Sequence, residues 1–273
     1  MRYTLMSGAG NLFAVLDGHD EALPEDPAAV ARAVCGPVSA GGLEPRPDGL
    51  ILVRPGDPAG TCVMEVYNAD GSRPETCGNG LRCVAKLVAD RGRVPGASFV
   101  IATDAGRSEA TVEREGGRVV RARVHMGVPR IVSLDEPLAL AESAVRATLV
   151  DMGNPHCVVL VEDERRARVE SLGPEIERHR RFPAGTNVEF LARREGRFFL
   201  RVWERGVGET QACGSGACAA ATAAVAQGLA RWPVRLHLPG GELSVDTDGR
   251  GGVVLAGPVE EIRSGAWVPA RGR

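Results

Sequence analysis

The chain has 273 residues, 44% of them hydrophobic and 25% charged, with a formal net charge of −2. These values describe a globular protein of one large domain or two ordinary ones, and the charge balance argues against a nucleic-acid or membrane surface. No signal pattern opens the chain, and its longest apolar run, Ala217 to Ala226, is too short to span a bilayer, so a soluble cytoplasmic protein is expected. Seven cysteines form an odd set without a dense framework, which predicts free thiols in a reducing compartment. Lys86 is the only lysine among 33 basic residues and falls mid-helix, so a pyridoxal cofactor held as a lysine Schiff base is not expected.

In chain order, Arg2 to Asp17 reads as two strands around a turn at Ser7-Gly8-Ala9-Gly10-Asn11. Pro27 to Val34 reads as a short helix with proline at its start, and Cys35 to Asp48 as a loose Gly/Pro-rich loop. Gly49 to Arg54 and Cys62 to Asn68 are predicted strands. A first motif follows, NADGSRPETCGNGLRC at Asn68–Cys83. Leu81, Val84, Ala85 and Val88 keep helical spacing, with the N-cap at Asn79 or close to it, and Gly92 and Pro95 end the helix. Strands are predicted at Ser98–Thr103, Ala110–Arg114 and Val119–His125. Met126-Gly127-Val128-Pro129 breaks the pattern and suggests a domain boundary.

The second half repeats this order. Ala147–Met152 and Cys157–Val161 are strands around a turn at Gly153-Asn154-Pro155-His156. Val169–His179 is a helix containing Pro174, and Phe182–Asn187 a loop. Val188–Ala192 and Phe198–Glu204 are strands, the latter leading into ERGVGETQACGSGACAA at Glu204–Ala220. Ala217–Ala226 is a helix without charge, which predicts burial on all sides. Strands near Val234–Leu238, Glu242–Val245 and Val253–Leu255 close the half. Trp203 follows Tyr67 by 136 positions, Cys213 follows Cys77 by 136, and Pro233 follows Pro95 by 138. Repetition at half the chain length marks an internal duplication. The expected fold is α/β (α+β), with two pseudo-symmetric lobes, each a curved sheet wrapped around a central helix. The expected first lobe is 1–127, carrying Cys77, and the second 128–261, carrying Cys213.

A cysteine just before a helix start meets the positive end of the macrodipole and unbonded N–H groups, which lower a thiol pKa toward neutrality. The same N–H groups hold a carboxylate. Two such ends facing each other across one substrate suit a two-base reaction. One thiolate removes an α-proton, the other thiol delivers a proton to the opposite face, and configuration inverts. Metal ligation is disfavoured, because the Cys77/Cys83 and Cys213/Cys218 spacings are not CxxC and no histidine cluster accompanies them. Packing roles and a disulfide switch stay open for a cysteine in a CGxG motif. Cys35, Cys62, Cys83, Cys157 and Cys218 read as buried packing thiols. Glu204-Arg205 can hold an ammonium and a carboxylate. Asn11, Asn68, Asn154 and Asn187 are turn formers that can also ring a zwitterion. His156 is either a satisfied loop histidine or a group that orients or deprotonates a thiol.

These residues resemble the diaminopimelate epimerase family over almost the whole chain. The resemblance is carried by NADGSRPETCGNGLRC, MGNPHCV at Met152–Val158, FPAGTN at Phe182–Asn187, ERGVGETQACGSGACA at Glu204–Ala219 and LPGG at Leu238–Gly241. It implies interconversion of LL- and meso-diaminopimelate without cofactor or metal, in the route to lysine and peptidoglycan precursors. It also implies mirrored lobes, each a sheet or barrel around a helix, and a homodimer. By resemblance Cys77 and Cys213 are the acid/base thiols, and Gly78, Asn79, Gly214 and Ser215 hold the reacting carboxylate. Asn11, Asn68, Asn154, Asn187, Glu204 and Arg205 bind the substrate, mostly at its distal end. The tail from about 262 to 273 is expected to rejoin the first lobe. Three departures stand out: Leu12 where the family shows Asp, a longer proline-rich loop ending at Asp48-Gly49, and Thr103-Asp104-Ala105-Gly106 in place of Thr-x-Asn-Gly. A racemase of another amino acid, and a thiol redox or amino-acid-binding protein, are the alternatives.

Overall fold

The computed structural model describes residues 1–56, 61–74 and 77–268. Positions 75 and 76 of the first motif and 269–273 of the expected tail lie outside the described residues. The first half runs Arg2–Gly8 (β1), Asn11–Asp17 (β2), Pro27–Val34 (α1), Gly49–Pro55 (β3), Thr61–Asn68 (β4), Gly78–Asp90 (α2), Ser98–Thr103 (β5), Gly106–Glu115 (β6) and Arg118–His125 (β7). The second runs Arg130–Ala139 (β8), Ala144–Asp151 (β9), Pro155–Val161 (β10), Val169–Glu177 (α3), Asn187–Arg194 (β11), Arg197–Glu204 (β12), Gly208–Thr210 (β13), Gly214–Ala226 (α4), Val234–Leu238 (β14), Gly241–Thr247 (β15) and Val253–Pro258 (β16). Glu260–Ala266 (β17) follows. The chain divides into two compact units, Met1–Val124 with the segment from Gly257, and His125–Ala256.

Both units use one pairing scheme. In the first, β17 pairs antiparallel with β1 and β1 with β2; β2 pairs parallel with β3, β3 antiparallel with β4, and β4 parallel with β5. β5, β6 and β7 then continue antiparallel. In the second unit β8, β9 and β10 are antiparallel neighbours, β10 pairs parallel with β11, β11 antiparallel with β12, and β12 parallel with β14. β14, β15 and β16 continue antiparallel, and β13 adds a short strand on β12. Each parallel pair is bridged by a helical crossover, as parallel geometry requires. The fold is thus mixed α+β and built twice on one plan.

Each plan centres on one helix. α2 packs against β1, β2, β4, β6 and β17, and is buried from Gly78 to Ala89. Its one lysine is satisfied in place: Lys86 donates to Asp90 and to the Val119 carbonyl. α4 packs against β8 to β12, β14 and β15, and is buried from Gly214 to Ala224. Its alanines let the helix approach strands from several sides, and the absence of charge removes the desolvation cost of that position. α1 starts where Asp26 accepts the Ala29 N–H at 2.9 Å, with Pro27 at N1. β17 closes the first unit: Trp267 is buried, exchanges backbone bonds with Met1, and donates its indole N–H to Gly41 in the proline-rich loop.

Three differences from the sequence reading have physical causes. Both central helices begin earlier than their apolar runs, at Gly78 and Gly214, because the CGxG segments themselves form the first turn. β8 and β17 were not expected as strands. Their side chains are mostly exposed, and β8 contains Pro137, so no alternation of apolar and polar residues betrays them.

Candidate active site

In the first unit Cys77 is the N-cap of α2. Its sulfur accepts the Gly80 N–H at 3.3 Å, and its carbonyl accepts the first ladder bond, from Leu81. The amides of Gly78 and Asn79 lie ahead of that ladder, where helix donors point outward. Gly8, at the end of β1, fixes the approach: a Cβ there would come within 2.8 Å of the Asn79 carbonyl. Asn79 donates to the Asn11 side chain and accepts from Arg82 Nη2 at 2.8 Å. Asn11 also donates to Asp48 at 3.4 Å, and the same Asp48 oxygen accepts the Leu12 N–H at 2.8 Å. The structure therefore joins Asn11, Asn79 and Arg82. Asn68 turns into its own loop instead, donating to Ser72 Oγ at 2.9 Å.

In the second unit Cys213 caps α4, buried, with Ser215 Oγ at 3.5 Å from its sulfur. The first ladder bond runs from Ala217 to the Cys213 carbonyl, so Gly214 and Ser215 again precede it. The sequence reading expected the helix start to lower this thiol. The structure shows the reverse for Cys213: burial, then the negative charge of Glu204, push its pKa well up. The dipole effect is outweighed because the sulfur has lost its water. Burial likewise pushes Cys35, Cys62 and Cys83 up to about 12 and raises Cys157. These four and Cys218 are buried, the inert thiols that packing predicts.

The second glycine of each CGxG motif has a packing reason. A Cβ on Gly80 would sit 3.0 Å from Cys77 Sγ and 3.0 Å from Ile51 Cδ1. On Gly216 it would meet Glu189 Oε1 at 2.7 Å and Cys213 Sγ at 3.4 Å. Both glycines let the start of their helix seat closely against its neighbours.

Around Cys213 the second unit assembles five of the expected residues. Asn187, at the start of β11, donates to the Pro155 carbonyl and accepts the Arg205 N–H, both at 3.0 Å. His156 bonds Glu189 through Nδ1 at 2.7 Å and Asn154 Oδ1 through Nε2 at 3.0 Å. Glu204 ends β12 and accepts from Thr210 Oγ1. Arg205 Nη1 donates to the Ala184 carbonyl at 3.2 Å, and its stem lies on Gly185. A cavity of about 360 Å³ opens beside this group, lined in part by Asn154, His156, Arg181 and Phe182.

The chain carries the marks of one known group of proteins. The diaminopimelate epimerase family profile matches residues 3–132 and 148–262. The diaminopimelate epimerase of Desulforudis audaxviator is 42% identical over 284 residues, covering 99% of this chain and all of that one. That of Bacillus subtilis is 39% identical over 282 residues, covering 97% and 98%. This chain belongs to the diaminopimelate epimerase family. Its fold also matches solved structures of lower identity. A predicted epimerase from Pseudomonas aeruginosa aligns with TM-score 0.73 at 20% identity, covering 98% of this chain and 99% of that one. A hydroxyproline epimerase from Agrobacterium vitis aligns with TM-score 0.72 at 18% identity, covering 99% and 93%. At such identities the likeness speaks for the fold.

Seen as a family member, the chain's departures are connected. Asp48 ties the Leu12 departure to the loop departure through the bonds given above. The third reaches Cys77: Thr103 and Asp104 line a small cavity with Cys77, Met64 and Leu81, and Asp104 pairs with Arg73 at 2.5 Å. Sequence reasoning missed three groups that organise the site. Arg82 is fully buried at the start of α2. Glu177 accepts from Trp203 Nε1 at 2.6 Å and from the Gly206 N–H at 3.0 Å, holding the end of β12. Glu189 lies buried in β11. The signal available was a charged residue inside an apolar run, as in Asn187-Val188-Glu189-Phe190.

No described helix is long and apolar enough to cross a membrane.

Proposed function

We propose that this chain epimerises diaminopimelate, interconverting the LL and meso forms by a cofactor-independent two-thiol proton transfer. Family membership at about 40% identity over nearly the full chain supports the reaction. The observation that carries the mechanism is that both cysteines are N-caps of the buried central helices of a duplicated fold. One sulfur, as thiolate, takes the α-proton from one face of the α-carbon. The other, as thiol, gives a proton to the opposite face, and the roles exchange in the reverse direction. No electron leaves the system and no group is transferred.

The amides of Gly78, Asn79, Gly214 and Ser215 are assigned to the reacting carboxylate. A preorganised donor of this kind is worth roughly 2.7–4 kcal/mol when charge develops on its partner. Asn11, Asn68, Asn154, Asn187, Glu204 and Arg205 are assigned to substrate binding. Arg205 and Glu204 suit the carboxylate and ammonium of a second amino-acid centre. The raised Cys213 pKa supports Cys213 as a thiol before substrate enters. A cytoplasmic homodimer is part of the proposal.

The test is α-deuterium incorporation into LL-diaminopimelate in heavy water, followed by chiral chromatography. Wild type exchanges and inverts; Cys77→Ala and Cys213→Ala do not invert. Normal inversion by either variant would overturn the mechanism. Equal turnover of proline or glutamate would move the substrate elsewhere.

A further inference from the structure

Glu189 occupies a place where an apolar residue would be expected. Its neighbours in β11, Val188, Phe190 and Leu191, are fully buried, and so is Glu189 itself. One carboxyl oxygen, Oε1, lies 2.7 Å from His156 Nδ1, while Oε2 is buried without a hydrogen-bond partner. An unsatisfied buried polar atom works against stability, and the carboxyl also requires glycine at 216, where a Cβ would come within 2.7 Å of Oε1. Packing alone gives no reason to keep an acid there.

The bonds of His156 supply one. Its Nε2 bonds Asn154 Oδ1, an oxygen that only accepts, so Nε2 carries a proton in this arrangement. The short contact at Nδ1 then holds a single proton, written either as carboxylic O–H donating to Nδ1 or as imidazolium N–H donating to the carboxylate. The pair has no net charge in both forms. Burial raises the Glu189 pKa, which is consistent with a proton kept in this bond. The groups facing the pair include Cys213 and Glu204, and a further negative charge here would oppose formation of the Cys213 thiolate.

We infer that Glu189 is a positioning residue: by sharing one proton with His156 Nδ1 it fixes Nε2–H toward Asn154, orients that amide and keeps the wall beside Cys213 neutral. Asn154 Oδ1 is thereby engaged and its Nδ2 is left to donate to a ligand. Glu189 acts through His156 and touches no substrate. The inference rests on the epimerase reading for its consequence, while the protonation it asserts does not depend on the reaction.

The test uses full-length protein labelled with 15N-histidine, the His156 ring being assigned by its loss in His156→Gln. In wild type at neutral pH the ring shows Nε2 protonated and locked in one hydrogen-bonding arrangement. In Glu189→Leu the ring loses this lock. Glu189→Gln, whose amide can still bond Nδ1, keeps Nε2–H. In parallel, kcat for diaminopimelate falls about 10- to 100-fold in Glu189→Leu, as expected for loss of a buried polar partner; Glu189→Gln retains most of it, and KM moves less than kcat. Melting curves establish that the variants fold; if Glu189→Leu does not, wild type and Glu189→Gln decide. Wild-type Nε2 without a proton, or a Glu189→Leu ring and kcat like wild type, overturns the inference. Failure of wild type to epimerise diaminopimelate would overturn the functional reading and leave the ring spectrum to judge this one.

Discussion

Asn187 Oδ1 accepts the backbone N–H of Arg205 at 3.0 Å, while its Nδ2 donates to the Pro155 carbonyl at the same distance. One buried amide thus joins three segments far apart in sequence: the start of β10, the start of β11 and the turn after β12. It sets the backbone from which Arg205 and Glu204 extend. An asparagine assigned to substrate in the sequence reading is also a strut of the site.

Asn187→Ala is expected to cost about 1–3 kcal/mol of stability, because it strands a donor and an acceptor away from water. It should also raise KM for diaminopimelate, since the Arg205 turn loses its anchor. Urea unfolding and steady-state kinetics check the two parts, and an unchanged unfolding midpoint would contradict the first.

Gly216→Ala is expected to destabilise by about 1–3 kcal/mol through overpacking against Glu189 Oε1, 2.7 Å from the added Cβ. The double variant Gly216→Ala/Glu189→Ala should recover part of the loss, because truncating the acid removes the clash. A thermal-denaturation cycle of the four proteins measures the coupling, and strict additivity would refute the contact.

The raised pKa of Cys213 fixes the sign of a pH dependence. Burial and Glu204 favour its protonated form, so in the ligand-free protein it is a thiol through neutral pH and its alkylation by iodoacetamide accelerates as pH rises. Glu204→Gln removes a negative neighbour and should speed alkylation at a given pH. Peptide mass spectrometry at Cys213 reads the rate; a fast rate flat from neutral pH upward would contradict the assignment. The same shift has a stability sign. A thiol whose folded pKa exceeds its unfolded value, about 8.5, stabilises the fold below that value and ceases to do so as pH rises through the folded one.

Much of the architecture was readable because duplication left two copies of one signal. The paired intervals from Tyr67 to Cys77 and Trp203 to Cys213, with a CGxG segment and an apolar run after each, indicate two helices in equivalent settings. The capped helix starts at Gly78 and Gly214 bear this out. The central strands were readable from alternation or from continuous apolar runs such as Leu50–Val53, all buried. β8 and β17 were hidden because exposed strands carry no hydrophobic period; what makes them strands is pairing with β9 and β1.

The sequence by itself determined the family and put each CGxG cysteine just ahead of a central helix, because these depend on residue types at short spacing; that the cysteines are themselves the N-caps came from the structure. Tertiary structure alone decided the environment of those thiols. Whether Cys213 is made more or less acidic depends on the balance of dipole, burial and the charge of Glu204, and burial is a sum over residues distant in the chain. The pairing of His156 with Glu189 follows from β10 and β11 running in parallel register, with His156 opposite Asn187, and that of Asn187 with Arg205 from the antiparallel register of β11 and β12, with Val188 opposite Trp203. No local pattern encodes these registers. They are fixed by which side chains fill the core around α4, and the chemistry beside Cys213 depends on them.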